Sequence, residues 1–558
     1  MNWTTSTLDS AILDKKKRYV LSMNPELGCG NFLHIANDIN KNNDIQIIFT
    51  DLPITLFKDK KYESFSIKEL KNICDSYSTW YLSQGVQKGD AIGVYFKEGI
   101  NYLIHYIAIN SIGAIPVLTN GNMDIDTASN HFKFIKTKGI ITDLDKQEGL
   151  RKNFHKSDLL FLESFENIEE MPINLPDVYP FMHDYNDPVM ITHSSGTTGT
   201  PKPVLLQHGK WFHGIRDLLR LELAEGANRY LLALPSSHNA AIAYSINAIL
   251  NGAELLITAS TEGHKVAEAI HNFRPSSVAA FPSTYVQITE LDGEDYDFSS
   301  VTTWINSGDA AHEIHIRKLV EHGYHYRGKQ KVKGSQFVDG LGSSEMGHST
   351  FRIIHTSYTN NFDRCVGFPQ EWAEAVILDE NGQELPDNKV GFLGIKSPSV
   401  TSGYWNNSNL TYKSRLSGYW LTGDYAYRNR LGCFYHVDRI SDVIKTTEGY
   451  CYSLQTEEYI MKNNPEFLDC IVIGVKDHQS NEKYETPIAL LIPKVNDIEF
   501  DIGKLLVKIN KEQATLERPQ ISKIFIVKKE EIPIGVTGKV IKRTLRKRYN
   551  ELLEKKEK

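Results

Sequence analysis

The sequence lacks the cysteine spacing of zinc-binding and disulfide-rich proteins and the basic charge of nucleic-acid-binding proteins. Its cysteines are scattered, and none has the C-x-x-C spacing of zinc sites or of a disulfide framework. The six are Cys29, Cys74, Cys365, Cys433, Cys451 and Cys470. Basic residues are not in excess, because 62 Lys and Arg against 69 Asp and Glu give a net charge of −7. Nucleic acid is therefore disfavoured as the main partner, and unpaired thiols predict a reducing, cytoplasmic compartment.

Long hydrophobic runs and a secretory leader are also missing. The most apolar window, residues 103–118, is interrupted by His105, Asn110 and Pro116, so it is too short and too polar to cross a bilayer. We interpret it as a core helix ending at Gly113, followed by a buried strand. The N-terminal segment places its lysines after a weakly apolar stretch, which is not the order of a signal peptide.

The pattern along the chain indicates an α/β protein of several units. At 558 residues the chain is too long for one hydrophobic core. Up to about residue 350, apolar helical stretches alternate with short β-branched runs such as 91–96, 139–142 and 277–282, which is typical of α/β layers with mainly parallel sheet. Between about 365 and 438, strands punctuated by Gly, Pro and Asn predict a small β unit. From about 441 a compact segment of strands and helices ends in a basic helix.

The segment 191–204, ITHSSGTTGTPKPV, carries the strongest local signal. Glycines let backbone N–H groups approach an anion closely, hydroxyls add donors and a lysine adds positive charge, which together suit a polyphosphate. The spacing is not that of a Walker A loop. A polar surface loop has a similar composition, so the segment alone leaves both interpretations open. The candidate phosphate-binding residues are Ser194, Ser195, Gly196, Thr197, Thr198, Gly199 and Lys202.

Four further motifs follow in order: DGLGSSE (339–345), YWLTGD (419–424), VDRISDVIK (437–445) and PIGVTGK (533–539). Together with SSGTTGTPK they closely resemble the motifs of the adenylate-forming superfamily, which includes acyl- and aryl-CoA synthetases, peptide-synthetase adenylation domains and luciferases. The resemblance covers nearly the whole chain. It implies a large N-terminal α/β domain with a small β unit (1–438), a small mobile C-terminal α+β domain (439–558), and an active site in the cleft between them.

The resemblance also implies roles for residues around ATP. Glu345 is a hard oxygen ligand suited to Mg²⁺ on the ATP phosphates, with Thr198 as a second metal-site residue. Asp424 resembles the ribose-binding aspartate, and Asp339 occupies the position that contacts the adenine amino group. Lys539 resembles the catalytic lysine, whose charge stabilises the attack of a carboxylate on the α-phosphate. The other residues expected around ATP or AMP are Gly308, Gly340, Ser344 and Arg439.

The hinge motif departs from the family pattern. Asp438 replaces the usual glycine before Arg439, and Ser441 replaces the usual hinge Asp or Lys. One residue is added between Lys445 and Gly449. Because the family uses this stretch to present its second active-site conformation, the departures bear on the thioester-forming step.

The segment 231–245, LLALPSSHNAAIAYS, is expected to line the acid pocket. His238 resembles the family residue that gates the thiol, and we assign it to the catalytic group with Glu345 and Lys539. Asn239 after it is similar to the His-Asn pair of enzymes that adenylate hydroxybenzoates, and its amide offers a donor and an acceptor to a ring hydroxyl. A satisfied polar pair is the alternative. The other expected pocket residues are Ala243, Gly340 and Gly342.

The function implied is that of an acid–thiol ligase. ATP, Mg²⁺ and a carboxylic acid give an acyl- or aryl-adenylate and pyrophosphate, and CoA or a carrier-protein phosphopantetheine then displaces AMP. The resemblance of His238-Asn239 and of DGLGSSEM to aryl-acid enzymes favours an aryl acid, and the lack of an aspartate in 235–243 to pair with an ammonium counts against an amino acid. The alternatives are an adenylating enzyme that loads a separate carrier protein or forms an amide without CoA, and a non-catalytic nucleotide-binding relative.

Overall fold

The computed structural model describes residues 12–155, 157–194, 201–221, 228–291, 296–309, 311–360, 362–476, 483–495, 499–535 and 539–557. The helices in this part of the chain are α1 (Lys15–Met23), α2 (Phe32–Ile39), α3 (Ile67–Ser83), α4 (Asn101–Ser111), α5 (Ile125–Ile135), α6 (Leu144–Asn153), α7 (His208–Leu218), α8 (Asn239–Asn251), α9 (Gly263–Phe273), α10 (Pro282–Glu290), α11 (Glu313–Val320), α12 (Ser408–Lys413), α13 (Ser453–Asn463), α14 (Ile502–Thr515) and α15 (Lys542–Glu557). None of the described helices has the length and apolar composition that a membrane crossing requires.

The strands of the described residues are β1 (Gln46–Leu56), β2 (Lys60–Ser66), β3 (Ala91–Tyr95), β4 (Ile115–Leu118), β5 (Gly139–Thr142), β6 (Phe161–Ser164), β7 (Pro188–Ser194), β8 (Lys202–Gln207), β9 (Arg229–Ala233), β10 (Glu254–Ile257), β11 (Ser277–Ala280), β12 (Thr303–Asn306), β13 (Tyr324–Arg327), β14 (Gln330–Lys333), β15 (Gln336–Asp339), β16 (Phe351–His355), β17 (Cys365–Pro369), β18 (Glu374–Leu378), β19 (Gly391–Lys396), β20 (Arg415–Leu416), β21 (Tyr419–Arg428), β22 (Phe434–Arg439), β23 (Ile444–Thr446), β24 (Gly449–Cys451), β25 (Phe467–Lys476), β26 (Glu485–Pro493) and β27 (Lys523–Ile526).

The larger sheet joins parallel strands of the first half of the chain to antiparallel strands of the small β unit. Its order is β18-β19-β21-β22-β17-β16-β15-β12-β11-β9-β10-β1-β2, with β20 paired to β21. The central strands are parallel and short, and apolar residues such as Leu231, Leu255 and Val278 are fully buried on them. Burial of each such leucine stabilises the fold by about 1.5–3 kcal/mol. The predicted β unit between about 365 and 438 is confirmed.

The second sheet has the order β6-β5-β3-β4-β7-β8, and only β8 runs antiparallel to its neighbour. The expected core helix is α4, and the expected strand after it is β4. Because parallel strands direct their carboxyl ends to one edge, β7 brings Ser194 to the same edge as the ends of β3, β4 and β5. Open α/β sheets bind ligands at this edge. The expected phosphate loop therefore starts where this architecture favours a ligand.

The last part of the chain has its own sheet, β25-β26-β27, with α13 and α15 packed against β25. Apolar side chains on the two faces of this sheet form two separate clusters, one around Ile460 and Val472 and one around Ile488 and Leu545. The predicted α/β fold class is thus confirmed. The boundary between 438 and 439 stays a prediction; it falls at the last residue of β22, Arg439, which is still paired with Asp424 of β21.

Candidate active site

Glu345 is fixed by contacts from two other parts of the chain. It lies in the turn after β15, and only 9% of its surface is exposed. Ser194 Oγ, at the end of β7, donates to Glu345 Oε1 at 2.8 Å, and the Tyr404 hydroxyl donates to the same oxygen at 3.0 Å. Opposite Ser194 in the β7–β8 ladder lies Lys202, whose ammonium is 5.9 Å from the Tyr404 ring. An oriented carboxylate therefore lies beside Ser194 and an amine at Lys202, the residues at the two ends of the glycine-rich segment.

The residues around Glu345 fit a magnesium ion that is shared with a polyphosphate. Among the described residues, no group of three or more His, Cys, Asp or Glu side chains could hold an ion by itself. Mg²⁺ characteristically takes one or two carboxylates and completes its shell with phosphate oxygens and water. Glu345 with the Ser194 hydroxyl beside it matches that chemistry. Thr198, the second predicted metal-site residue, lies outside the described residues, as do Ser195, Gly196, Thr197 and Gly199.

Asp424 is a buried carboxylate held in its charged form. Arg439 Nε lies 3.1 Å from Asp424 Oδ1, and His436 Nε2 lies 3.4 Å from the same oxygen. Burial raises the pKa of Asp424, but the Arg439 guanidinium and His436 outweigh it and hold that pKa well below its ordinary value. The pair places a fixed acceptor and a fixed donor side by side, which suits the two hydroxyls of a ribose.

Asp339 and Asn306 end two neighbouring parallel strands and form a second polar group. Asn306 Nδ2 donates to Asp339 Oδ1 at 2.9 Å and to the Asp309 carbonyl at 2.8 Å. Both partners accept, so the amide orientation is fixed, and the buried Asn306 Oδ1 has no hydrogen-bond partner in the described part of the chain. Burial raises the pKa of Asp339. Two acceptor groups with spare capacity at one strand edge suit an exocyclic amine such as that of adenine.

Glycines let the backbone pass closely beside this group. A Cβ at Gly340 would come 2.2 Å from the Phe351 carbonyl oxygen, and one at Gly342 would come 2.8 Å from the Ser349 backbone. Gly308 has φ +84° and packs against the Phe281 ring. Ser344, in the same turn as Glu345, is buried.

Lys539 is close to the charged groups of this cleft. It lies in a β-bridged turn, where its carbonyl accepts from the Gly535 amide at 2.7 Å. Burial lowers the pKa of its ammonium, and the carboxylates that face it act in the opposite direction. These carboxylates belong to Asp309, Asp424 and Glu345. The structure therefore brings the predicted lysine, the predicted metal ligand and the predicted ribose ligand to one place.

His238 and Asn239 begin helix α8 beside this cleft. His238 Nδ1 accepts from the Ala240 amide at 3.2 Å, which places the ring proton on Nε2, and the ring meets Phe281 edge to face. Burial, with Lys539 and His193 adding to it, lowers the pKa of His238 to about 3, so the ring is neutral. Ala243, one turn further along the helix, is buried.

The Asn239 amide makes one of its hydrogen bonds within the fold. Its Nδ2 donates to the Gly347 carbonyl at 3.1 Å, and Trp211 Nε1 donates to the same carbonyl at 3.1 Å. A carbonyl only accepts, so the amide orientation is fixed. Asn239 is 4% exposed, and its Oδ1 has no hydrogen-bond partner among the residues that the structure describes. The Oδ1 acceptor therefore remains open to a ligand, beside the second N–H of the same amide.

The three predicted hinge residues are exposed. Lys445 and Gly449 belong to the exposed hairpin of β23 and β24, where Gly449 has φ +122°. Ser441 is exposed, and its carbonyl accepts from Arg546 Nη1 at 3.1 Å. Asp438 is buried and accepts from the Ser453 hydroxyl at 3.1 Å.

Comparison with known proteins identifies the family of this chain. The family described as AMP-binding enzyme matches residues 42–405. The chain belongs to this family. The resemblance drawn from the five motifs is thereby confirmed, and the chain is an adenylate-forming enzyme.

Relatives within the AMP-binding enzymes differ in their named activities. The chain is 34% identical to a Streptomyces 3-aminoavenalumate diazotase, over 96% of this chain and 99% of the relative. The anthranilate CoA ligase AuaEII, solved with anthranoyl-AMP, superimposes with a TM-score of 0.79 at 18% identity, over 96% of this chain and 98% of that one. The Bacillus subtilis O-succinylbenzoate CoA synthetase, solved with ATP and magnesium, has a TM-score of 0.75 at 18% identity, over 92% and 99%.

Three residues of this cleft were not predicted from the motifs. Tyr404 fixes Glu345, Asn306 fixes Asp339, and Asp309 faces Lys539. Two of them had a usable signal, because Asn306 ends a parallel strand and Asp309 follows the predicted Gly308. Tyr404 had none beyond its Ser/Gly-rich turn.

Proposed function

We propose that this AMP-binding enzyme uses ATP to convert an aromatic acid that carries an amino or hydroxyl group into an aryl-adenylate, which then passes to an acceptor. The observation that carries the proposal is the convergence of Glu345, Asp424 with Arg439, and Lys539 on one cleft. These are the charges that ATP activation needs.

Each step of adenylation has a group in place. Asp424 and Arg439 hold the ribose, while Asn306 Oδ1 and Asp339 accept from the adenine amine. Glu345 would hold the Mg²⁺, which neutralises phosphate charge. The ammonium of Lys539 lies between the acid and the α-phosphate, where negative charge accumulates as the carboxylate oxygen attacks phosphorus and pyrophosphate leaves.

The free acceptor of Asn239 supports a donor substituent on the ring. An aromatic amine or hydroxyl could donate to Oδ1, whereas a nitro or carboxylate group would leave two acceptors facing each other. Two of the similar proteins act on or hold compounds named as amino-substituted, namely 3-aminoavenalumate and anthranoyl-AMP. An amino-substituted acid therefore ranks first among the candidates.

Substrate choice tests this assignment. Wild-type enzyme should release pyrophosphate with aminobenzoates more efficiently than with benzoate, nitrobenzoates, octanoate or phenylalanine. Asn239→Ala should reduce the preference for aminobenzoate over benzoate by roughly 10- to 100-fold, because an unpartnered buried polar group costs ~1–3 kcal/mol. The measurement is kcat/KM from pyrophosphate release.

Trp211→Phe is the matched control for that variant. It removes the other donor to the Gly347 carbonyl and leaves Asn239 Oδ1 untouched. A preference that survives in Asn239→Ala, or is lost equally in Trp211→Phe, would contradict the contact. A preference for octanoate would contradict the aromatic pocket.

The acceptor is proposed from the family alone. CoA or a phosphopantetheine arm on a separate carrier protein would displace AMP, as the names of the CoA ligases among the similar proteins suggest. We also propose a cytoplasmic location, because all six cysteines are free thiols, and a division of the chain near residue 438 into a large domain and a small moving one.

A second candidate function is diazotisation of an aromatic amine, which the 34% identical diazotase favours. The same cleft would serve, because nitrite is a small oxyanion like a carboxylate. A nitrite oxygen attacks the α-phosphorus and pyrophosphate leaves, giving a nitrosyl–AMP anhydride. The ring amine attacks the nitrosyl nitrogen, releasing AMP and a proton. Protonation of the resulting nitrosamine and loss of water leave a diazonium ion.

Nitrite dependence separates the two candidates. If diazotisation is the activity, pyrophosphate release from ATP should require nitrite, AMP should accumulate only when an arylamine is also present, and the product should couple with naphthol to a coloured azo compound. If aryl-adenylate formation is the activity, aminobenzoate alone should suffice and nitrite should change nothing. Lys539→Ala should reduce either reaction, which makes it the control for non-enzymatic nitrosation.

A further inference from the structure

A polar contact joins the segment beside the cleft to the part of the chain that carries Lys539. His312 Nδ1 lies 2.6 Å from Glu458 Oε2, and both side chains are largely buried. His312 comes three residues after Asp309, which faces Lys539, and Glu458 belongs to α13. The two residues are 146 positions apart in the sequence.

Glu458 also hydrogen-bonds to the N-terminus of helix α11. Its Oε1 accepts from the Glu313 amide at 3.1 Å, and Glu313 is the first residue of α11. An amide at a helix N-terminus has no partner within the helix and favours an anion. One carboxylate therefore bonds both to the imidazole and to the helix end.

Further polar contacts surround this pair. Asp469 Oδ1 of β25 lies 3.8 Å from His312 Nε2, and His315 Nε2 bonds to the Leu468 carbonyl at 3.1 Å. The Arg364 guanidinium is close enough to lower the pKa of His312. Glu457, next to Glu458 on α13, also faces the imidazole.

The electrostatics favour a charged imidazole. Burial lowers the pKa of His312, but Glu458 and then Asp469 outweigh it and raise that pKa above its ordinary value. Burial raises the pKa of Glu458, yet His312 outweighs it and brings that pKa to about 2. Both shifts therefore favour the ion-paired form of the contact.

We propose that His312 is a positioning residue, and that its ion pair with Glu458 seats the C-terminal part of the chain so that Lys539 enters the cleft. This rests on the proposed function only in naming adenylate formation as the step it serves. His312 touches no reacting atom. Losing the pair disfavours the seated arrangement and leaves a buried charge without its partner.

The proposal gives the direction of a pH effect. When the C-terminal part is unseated, His312 has its ordinary pKa of about 6.5. When it is seated, that pKa is raised. The favourable contribution is therefore complete below about pH 6.5 and is lost as the pH rises through the raised value.

His312→Gln and Glu458→Gln test the proposal through the two half-reactions. Each should slow ATP–pyrophosphate exchange by at least about tenfold, while transfer from a chemically prepared adenylate to the acceptor stays within about twofold of wild type. The double variant should lose less than the sum of the two, because no unpaired charge remains. Glu458→Gln should also move the alkaline limb of adenylate formation to lower pH. His264→Gln, an exposed histidine paired with Glu262, is the control.

Hydrogen exchange at the Glu313 amide gives a readout that needs no substrate. Protection there should fall in Glu458→Gln but not in His264→Gln. Equal loss of both half-reactions, or an unshifted alkaline limb, would overturn the proposal. If the wild-type enzyme shows no ATP–pyrophosphate exchange with any acid or with nitrite, the proposed function fails. The seating contact is still tested by hydrogen exchange, because protection of the Glu313 amide that is retained in Glu458→Gln would contradict it.

Discussion

Replacing Lys539 by alanine should slow adenylate formation by about 10²–10³-fold, the usual loss when one preorganised charge is removed from a developing anion. The ammonium faces Glu345, Asp424 and Asp309 in the cleft. Transfer of a supplied adenylate to the acceptor should remain largely intact, because no charge builds up on phosphorus in that step. Pyrophosphate release and single-turnover transfer are the two measurements.

The control for this variant is Lys547→Ala, an exposed lysine of α15. A second readout uses His238, whose pKa Lys539 helps to lower. In Lys539→Ala the pKa of His238 should rise, although burial, the larger cause, still keeps it below its ordinary value. NMR titration of the His238 ring measures this shift. Near-normal pyrophosphate release, or an unmoved His238 titration, would contradict the placement of Lys539.

The sequence predicted those parts of the structure that depend on local pattern. Alternating apolar runs predicted α4 and the strands β3, β4, β5 and β11 of the parallel sheets, because burial on both faces requires continuous apolar residues. Gly- and Pro-punctuated strands predicted the β unit. The resemblance to the adenylate-forming family predicted Glu345, Asp424 and Lys539 as members of one site, although their roles stay predictions.

The parts that the sequence did not predict depend on contacts between distant residues. Tyr404 bonds to Glu345 across 59 positions, and His312 to Glu458 across 146. No local pattern encodes such a pair, since each residue alone reads as an ordinary polar side chain. Asn239 illustrates a subtler limit. Its amide offers two donor hydrogens and an acceptor, but the Gly347 carbonyl takes one of the hydrogens, so the fold reduces what remains for a ligand.

Replacing Glu345 by glutamine should raise the Mg²⁺ concentration needed for half-maximal activity by at least about tenfold, since loss of even an outer-shell partner lowers metal affinity by about 10- to 100-fold. A neutral amide is a weaker ligand for a hard dication than a carboxylate. The measurement is the magnesium dependence of ATP–pyrophosphate exchange, with calorimetric titration of ATP in the presence and absence of Mg²⁺.

Two further variants serve as comparisons for Glu345→Gln. Tyr404→Phe removes one hydrogen bond to Glu345 Oε1 and leaves the charge, so its effect should be smaller, at about 0.5–1.5 kcal/mol. Glu371→Gln removes the same charge from an exposed glutamate and should change nothing. If Glu345→Gln leaves the magnesium titration unchanged while ATP affinity falls without metal, Glu345 acts on the nucleotide and not on the ion. We therefore expect the largest effect from Glu345→Gln, which removes the charge next to the ion. Tyr404→Phe should have a smaller effect, because it removes only a hydrogen bond that orients Glu345. Glu371→Gln should have none, because its charge lies on the surface.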